Sequence, residues 1–442
     1  MKPIKKENLL KQKEIYLKGD KNVIIRHALN KNSIYQIVRN ADDIKEKDFN
    51  FDINIKTMPA TNQKASGRCW IFAAANIVRE IIGQSCNLAN FELSQSYLAF
   101  YDRLEKANYL LEAIIELIDQ DYDDRVLTFL LQNGVSDGGQ WDMFVSLVNK
   151  YGFVPKNVYP ETATSGATRE TRQLINFNIR KFASEAKALY HAHGLEVVRE
   201  AKEKLLDKIY ALLINAYGLI PETFDFEYTD KDNVYHLKKG FTPLSFKEKY
   251  LGNRLDDFVS IINAPTKDKP FNITYTIKYL GNVVGGKEIL HLNVDMERMK
   301  QLIVTQLKDN CMVWFGSDVA FYGDREEGFW DDEAFDLESP FALALKMNKG
   351  EGLDYRASQM NHAMCITGVT IKSEKPIKWK IQNSWGSGRG KNGYYMMSGS
   401  WFDRFVYQAV IDKKYLNDSE LKALIDEPVV LKPWDPMGSL AD

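Results

Sequence analysis

Residues 62–82, NQKASGRCWIFAAANIVREII, set a lone cysteine between an arginine and a tryptophan, where a polar loop gives way to an apolar run. From Cys69 onward apolar residues fall on every side, Ala73, Ala74 and Ala75 follow one another, and no glycine or proline intervenes before Gly83. That is how a helix buried on most of its faces reads, and the polar KASGR before it puts Cys69 in the first turn. A thiol there feels the positive end of the helix dipole, which favours the thiolate, its nucleophilic form. The ordinary role of a buried cysteine is that of a small apolar filler. That reading fits Cys86, Cys311 and Cys365, each inside or beside apolar residues.

A nucleophilic thiol needs a base, and the histidines are His27, His191, His193, His236, His291 and His362. His362 opens the alternating run HAMCITGVTI, a strand signal, so its ring projects from a rigid element. Asn383 follows a second strand, WKIQ. Its neutral amide can accept the imidazole N–H and fix the ring plane, leaving the other nitrogen for sulfur, while Trp385 roofs the pair against water. Gln63 precedes Cys69 by six residues. A turn between them brings its amide beside the Cys69 backbone N–H, two donors for an oxyanion. Gly138 and Gly139, in NGVSDGGQW, mark a tight loop. His191 and His193 are two apart on a predicted helix and do not share a face, so no metal site is expected there.

Composition limits the alternatives. The 442 residues suffice for a large core and roughly two to four subdomains. With 45% hydrophobic and 27% charged residues the chain has the composition of a folded globular protein. A net charge of -2 gives no basic excess for nucleic acid or acidic membrane surfaces. No apolar stretch approaches a bilayer span and no secretory signal is legible, so a cytoplasmic location is expected. The four cysteines are widely spaced without a C-x-x-C pair, which argues for free thiols over disulfides or structural zinc.

Along the chain, residues 94–118 and 140–151 read as amphipathic helices, and 165–218 as two long charged surface helices. Beyond about residue 270 the pattern changes to short alternating runs such as NITYTIKYLGNVVGG, CMVWFGSDV and IKWKIQNSWG. Pro428, Pro433 and Pro436 forbid a regular helix in the tail, which is expected to lie extended over another surface.

Gln63, Cys69, His362 and Asn383, in that order, resemble the papain-like cysteine peptidases. Secreted members carry Cys-Gly-Ser/Ala-Cys-Trp/Tyr around the nucleophile. The corresponding residues here are Ser66-Gly67-Arg68-Cys69-Trp70, with a serine in place of the first cysteine. His362 lies 293 residues after Cys69, against roughly 130 to 150 in that pattern, so a large insertion is expected. The chain is most similar to the bleomycin hydrolase and aminopeptidase C branch, through TNQKASGRCWIFAA, DGGQWDMFVSLVNKYGFVPK, PLSFKEKYLG, NAPTKDKPF, YLGNVVGG, NHAMCITGV, NSWG and PWDPMGSLAD.

The resemblance implies an α+β fold with a helical half and an antiparallel, barrel-like β half. It divides the chain into an N-terminal segment packing on the core (1–60), the helical half (61–160), a helical insertion acting as an oligomerisation arm (161–270), the β half (271–415) and a tail entering the cleft (416–442). It implies Cys69 as nucleophile, His362 as base, Asn383 as its orienting partner, Gln63 as oxyanion donor, and Gly138, Gly139, Trp385 and Asp442 along the substrate cleft. A homohexamer acting on peptides, with no metal or other cofactor, completes the picture. Asp442 extends one residue beyond the Leu-Ala ending of the branch. The favoured activity is removal of amino-terminal residues from short peptides through a thioester; the alternatives are an endopeptidase with an open cleft and a catalytically silent binding protein.

Overall fold

The structure, a computed structural model, describes residues 1–40 and 48–441. The helix Cys69–Ser85 forms where the sequence is apolar all round, and it is buried from Cys69 through Arg79. Helices Gln95–Glu116 and Trp141–Tyr151 pack beside it. The first is capped by Ser94, whose hydroxyl accepts the Tyr97 N–H. Together they form the helical layer against which the sheet lies.

The long charged stretch folds as two antiparallel helices, Arg169–His193 and Leu195–Tyr217, reversing at Gly194 with φ of 82°. Only a left-handed residue makes so short a turn, which suits glycine. Phe100 of Gln95–Glu116 meets Tyr210 and Tyr217 edge-on at 5.7 and 6.3 Å, fixing the base of the pair. Phe177 at 71% and Leu174 at 53% exposure remain uncovered on its outer face.

The sheet follows the order Val429–Leu431, Thr274–Ile277, His291–Asn293, Phe258–Ile262, Val406–Asp412, Val313–Ser317, His362–Lys372, Lys375–Gln382, Tyr394–Ser398, Phe329–Trp330, Gly323–Asp324. Its centre is antiparallel, with parallel pairs joining Val429–Leu431 to Thr274–Ile277, Phe258–Ile262 to His291–Asn293, and Tyr394–Ser398 to Phe329–Trp330. The sheet is therefore mixed, and it begins before residue 270: FVSII at 258–262 is short and buried at every position but Val259, so it shows no alternation, yet it lies inside the sheet. A separate hairpin, Phe224–Thr229 with Tyr235–Phe241, follows the two long helices, and Phe224, Phe226 and Phe241 gather around Phe246.

The N-terminal segment is helical at Lys6–Leu17 and Asp20–Leu29, and neither helix has a buried residue. The second helix touches the rest of the chain through Lys21, whose Nζ donates to the Ser339 carbonyl, and further on Tyr35 meets Phe335 edge-on at 5.4 Å and Arg39 pairs with Asp324 at 3.2 Å. Residues 41–47 of this segment lie outside the described residues.

Candidate active site at the helix and sheet junction

The start of Cys69–Ser85 is pressed against the strand His362–Lys372. The Ala363 backbone N–H donates to Cys69 Sγ at 3.4 Å, so the thiol lies beside the first residues of that strand. Deeper in the same seam the Cys365 thiol donates to Ala73 O at 3.1 Å, and the Trp314 indole to Trp70 O at 3.2 Å. Cys69 is fully buried and His362 is 3% exposed.

His362 Nε2 lies 2.9 Å from Asn383 Oδ1. That oxygen also accepts the Ser384 N–H at 2.8 Å, which fixes the amide plane. The Trp385 ring lies 4.8 Å from the imidazole, tilted by 30°, and the Arg325 guanidinium sits 4.9 Å from the indole. The histidine is thus held by an amide at one nitrogen and covered by an aromatic ring.

Gln63 is joined to this frame on three sides. Its backbone N–H donates to Ser384 O at 2.8 Å, its Oε1 accepts the Ser384 hydroxyl at 2.6 Å, and its Nε2 donates to Ser66 O at 2.6 Å. Gln63 therefore links the turn before Cys69 to the residue after Asn383. Sequence reasoning missed Ser384, although NSWG contained it.

The glycine loop meets the tail. Gly139 N–H donates to Ala441 O at 3.2 Å in an antiparallel bridge, and Gln140 Nε2 donates to Ser439 O at 2.7 Å. A Cβ on Gly138 would come within 2.8 Å of Ala441 O, and one on Gly139 within 2.4 Å of the Trp70 ring, so both positions require a bare backbone. Ala441 is fully buried. The preceding tail is fastened by Lys269 to Asp435 at 3.0 Å and by Arg125 stacked 3.8 Å over Trp434. A cavity of about 490 Å³ continues along the tail, bounded by Leu440, Trp434, Met143, Met360 and Asn361. Asp442, assigned to the cleft from sequence, lies outside the described residues.

Among the described residues no group of three or more His, Cys, Asp or Glu could hold a metal ion. The sequence-predicted residues Gln63, Cys69, His362, Asn383 and Trp385 thus belong to one frame, with Gly138 and Gly139 facing the tail. Such an arrangement is suited to acyl transfer: a thiol at a helix N-terminus, an oriented imidazole and an amide donor nearby.

Burial leaves its mark on two histidines. Desolvation lowers His362 to about 4, with the Asn383 bond opposing and Arg325 assisting, and it lowers His291 to about 4 as well. An unfolded histidine titrates near 6.5. Between roughly pH 4 and 6.5 the unfolded chain binds protons that the native state does not, so this stability is present above about 6.5 and declines as pH falls toward 4. The urea midpoint should accordingly be lower at pH 5 than at pH 7.5, and a variant of the buried His291, His291→Gln, should lose part of that dependence, whereas His362 shares its proton with the Cys69 thiol and is not the group to test; equal midpoints in the unsubstituted protein would contradict the assignment.

Residues 3–438 match the family model described as the Peptidase C1-like family. The chain belongs to that family. Among its relatives, aminopeptidase C of Lactobacillus delbrueckii subsp. lactis is 45% identical over 423 residues, covering 95% of this chain and 94% of the relative. Bleomycin hydrolase of Mus musculus is 38% identical, covering 87% and 86%. The crystal structure of PepW from Lactobacillus rhamnosis HN001 is 43% identical and superposes with a TM-score of 0.97, covering 99% of both chains. The C1-like peptidase fold therefore extends over the two long helices, the hairpin and the tail as well as the site.

Proposed function

We propose that Cys69 is the nucleophile, His362 the acid and base, Asn383 its orienting partner and Gln63 an oxyanion donor in hydrolysis of peptides from the amino end. Relatives 43–45% identical over nearly their full length are aminopeptidases C, and the chain is a cysteine aminopeptidase of their kind. The observation that carries the exopeptidase reading is the burial of Ala441 against Gly139, which fills one end of the cleft with the chain's own tail. A substrate then enters only as far as the tail, which leaves room for the amino end of a peptide but not for a chain that continues past it.

In the reaction, the Cys69 thiolate attacks the peptide carbonyl carbon, forming a C–S bond and an oxyanion met by the Gln63 amide and the helix N-terminus. Collapse breaks the C–N bond as His362 gives its proton to the leaving amine. Water, deprotonated by His362, then attacks the thioester; the C–S bond breaks, the acid departs and the thiolate returns. The imidazolium is disfavoured on its own, since burial holds His362 near 4. The positive charge persists where the thiolate faces it, so the proton belongs to the pair.

Cysteine selectivity offers a test. Burial pushes the Cys365 thiol well above its ordinary range and the Cys311 thiol up to about 11, and Cys86 is buried at the opposite end of the Cys69–Ser85 helix from the nucleophile, without the helix N-terminus to favour its thiolate. Alkylation by iodoacetamide near pH 6.5 should therefore fall on Cys69 and remove activity in proportion; modification elsewhere with activity retained would refute the nucleophile. Replacing Gln63 by alanine should lower kcat by about 10²–10³-fold with smaller change in KM, measured by steady-state kinetics on a peptide amide. A loss under threefold would exclude it as an oxyanion donor.

The remaining features belong to the same proposal. Among the described residues no helix is long and apolar enough to cross a membrane, and a cytoplasmic location accords with that observation. The exposed Leu174 and Phe177 on the helical arm, and the N-terminal helices with no buried residue, support a homo-oligomer of the hexameric kind implied by the resemblance.

A further inference from the structure

Beneath the glycine loop lies a cluster of charged and polar side chains that the chemistry above does not use. Asp137, 4% exposed, forms an ion pair with Arg103, 2% exposed. Its Oδ2 accepts the Gly67 backbone N–H at 3.1 Å and the Thr168 hydroxyl. Its backbone carbonyl accepts the Trp70 indole N–H at 2.7 Å. Arg103 Nε donates to the Tyr217 hydroxyl at 2.9 Å. Next to it, Lys106 Nζ donates to Gly138 O at 2.6 Å and pairs with Asp102 at 2.7 Å.

These contacts join parts of the chain that must keep fixed distances. Gly67 and Trp70 flank Cys69 in sequence, and Asp137 precedes the glycines that meet the tail. Thr168 and Tyr217 stand at the two ends of the helical arm. A buried carboxylate is costly unless charge and donors surround it, and here a guanidinium, a hydroxyl and a backbone N–H do so. We infer that Asp137 is a positioning residue for the reaction: by holding the Gly67 turn to the Gly138–Gly139 loop it sets where a substrate backbone on that loop lies relative to Cys69.

The inference rests on Cys69 being the nucleophile, and the readouts keep the two apart. Small alkylating reagents need the thiol but not the glycine loop, whereas peptide turnover needs both. Removing Asp137 alone would strand the buried Arg103 charge, so the comparison is made in the Arg103→Met background. There Asp137→Asn retains an oxygen for the Gly67 and Thr168 donors, and Asp137→Ala removes it.

Steady-state kinetics on a peptide amide with a free amino terminus, iodoacetamide inactivation rates and thermal unfolding are measured for both double variants. The alanine form should show kcat/KM at least about tenfold below the asparagine form, with inactivation rates within about threefold and both unfolding cooperatively above the assay temperature. Equal kcat/KM in the two, or an alanine form whose inactivation rate falls in step with turnover or which no longer unfolds cooperatively, would overturn the positioning role. Should inactivation of the unsubstituted protein leave turnover intact, the nucleophile itself would be refuted.

Discussion

Replacing Cys69 by alanine should lower turnover of a peptide amide by at least about 10⁴-fold while the protein remains folded. The sulfur lies at the start of a helix whose first residues are buried on all sides, and its contact with the Ala363 N–H is one bond among many in that seam. Deleting one buried sulfur costs little beside the packing of Trp70, Ile71 and Phe72 around it, on the order of 1–2 kcal/mol. None of the other three cysteines replaces the nucleophile: Cys365 points its thiol at Ala73 O, Cys311 donates to Met312 O, and Cys86 is buried at the far end of the same helix. Initial rates and thermal unfolding of the purified variant decide the matter. An active Cys69→Ala protein would end the thioester mechanism, and an unfolded one would assign Cys69 to structure.

Removing residues 438–442 should convert the enzyme from one that requires a free amino terminus into one that also cleaves blocked peptides. The truncation leaves Trp434 under Arg125 and Asp435 paired with Lys269, so the rest of the tail keeps its anchors. It clears Ser439 from Gln140 and Ala441 from Gly139, opening the backbone edge they occupy. Cleavage of an amino-acetylated peptide should rise by at least about 100-fold, while preference for the free amine over the acetylated form should fall by a similar factor. If the truncated enzyme still rejects acetylated substrates, the tail is not what limits the cleft.

The helix carrying Cys69 is legible because an apolar run surrounding three alanines leaves no polar face, and the strand of His362 because alternation persists through HAMCITGVTI. The pairing of Asn383 with His362 follows once two neighbouring strands end at the same edge. What joins Gln63 to Ser384, or Gly139 to Ala441, is invisible locally, since each bond spans most of the chain and depends on how the layers close. The strand Phe258–Ile262 was hidden for another reason: its residues are nearly all buried, so no alternation marks it. Arg103 and Lys106 did leave a signal, charged residues amid YDRLEKANYLL on a helix otherwise packed for the interior, but Asp137, which pairs with Arg103, and the Gly138 carbonyl that Lys106 meets could be found only in three dimensions.

The most direct test of a cysteine aminopeptidase whose own tail guards the cleft uses the full-length protein and two substrates, a fluorogenic peptide amide with a free amino terminus and the same amide acetylated, each with and without a thiol-alkylating reagent. Cleavage of the free form alone, abolished by alkylation, is the expected result; cleavage of the acetylated form at a comparable rate, or of either form after complete alkylation of Cys69, would contradict it.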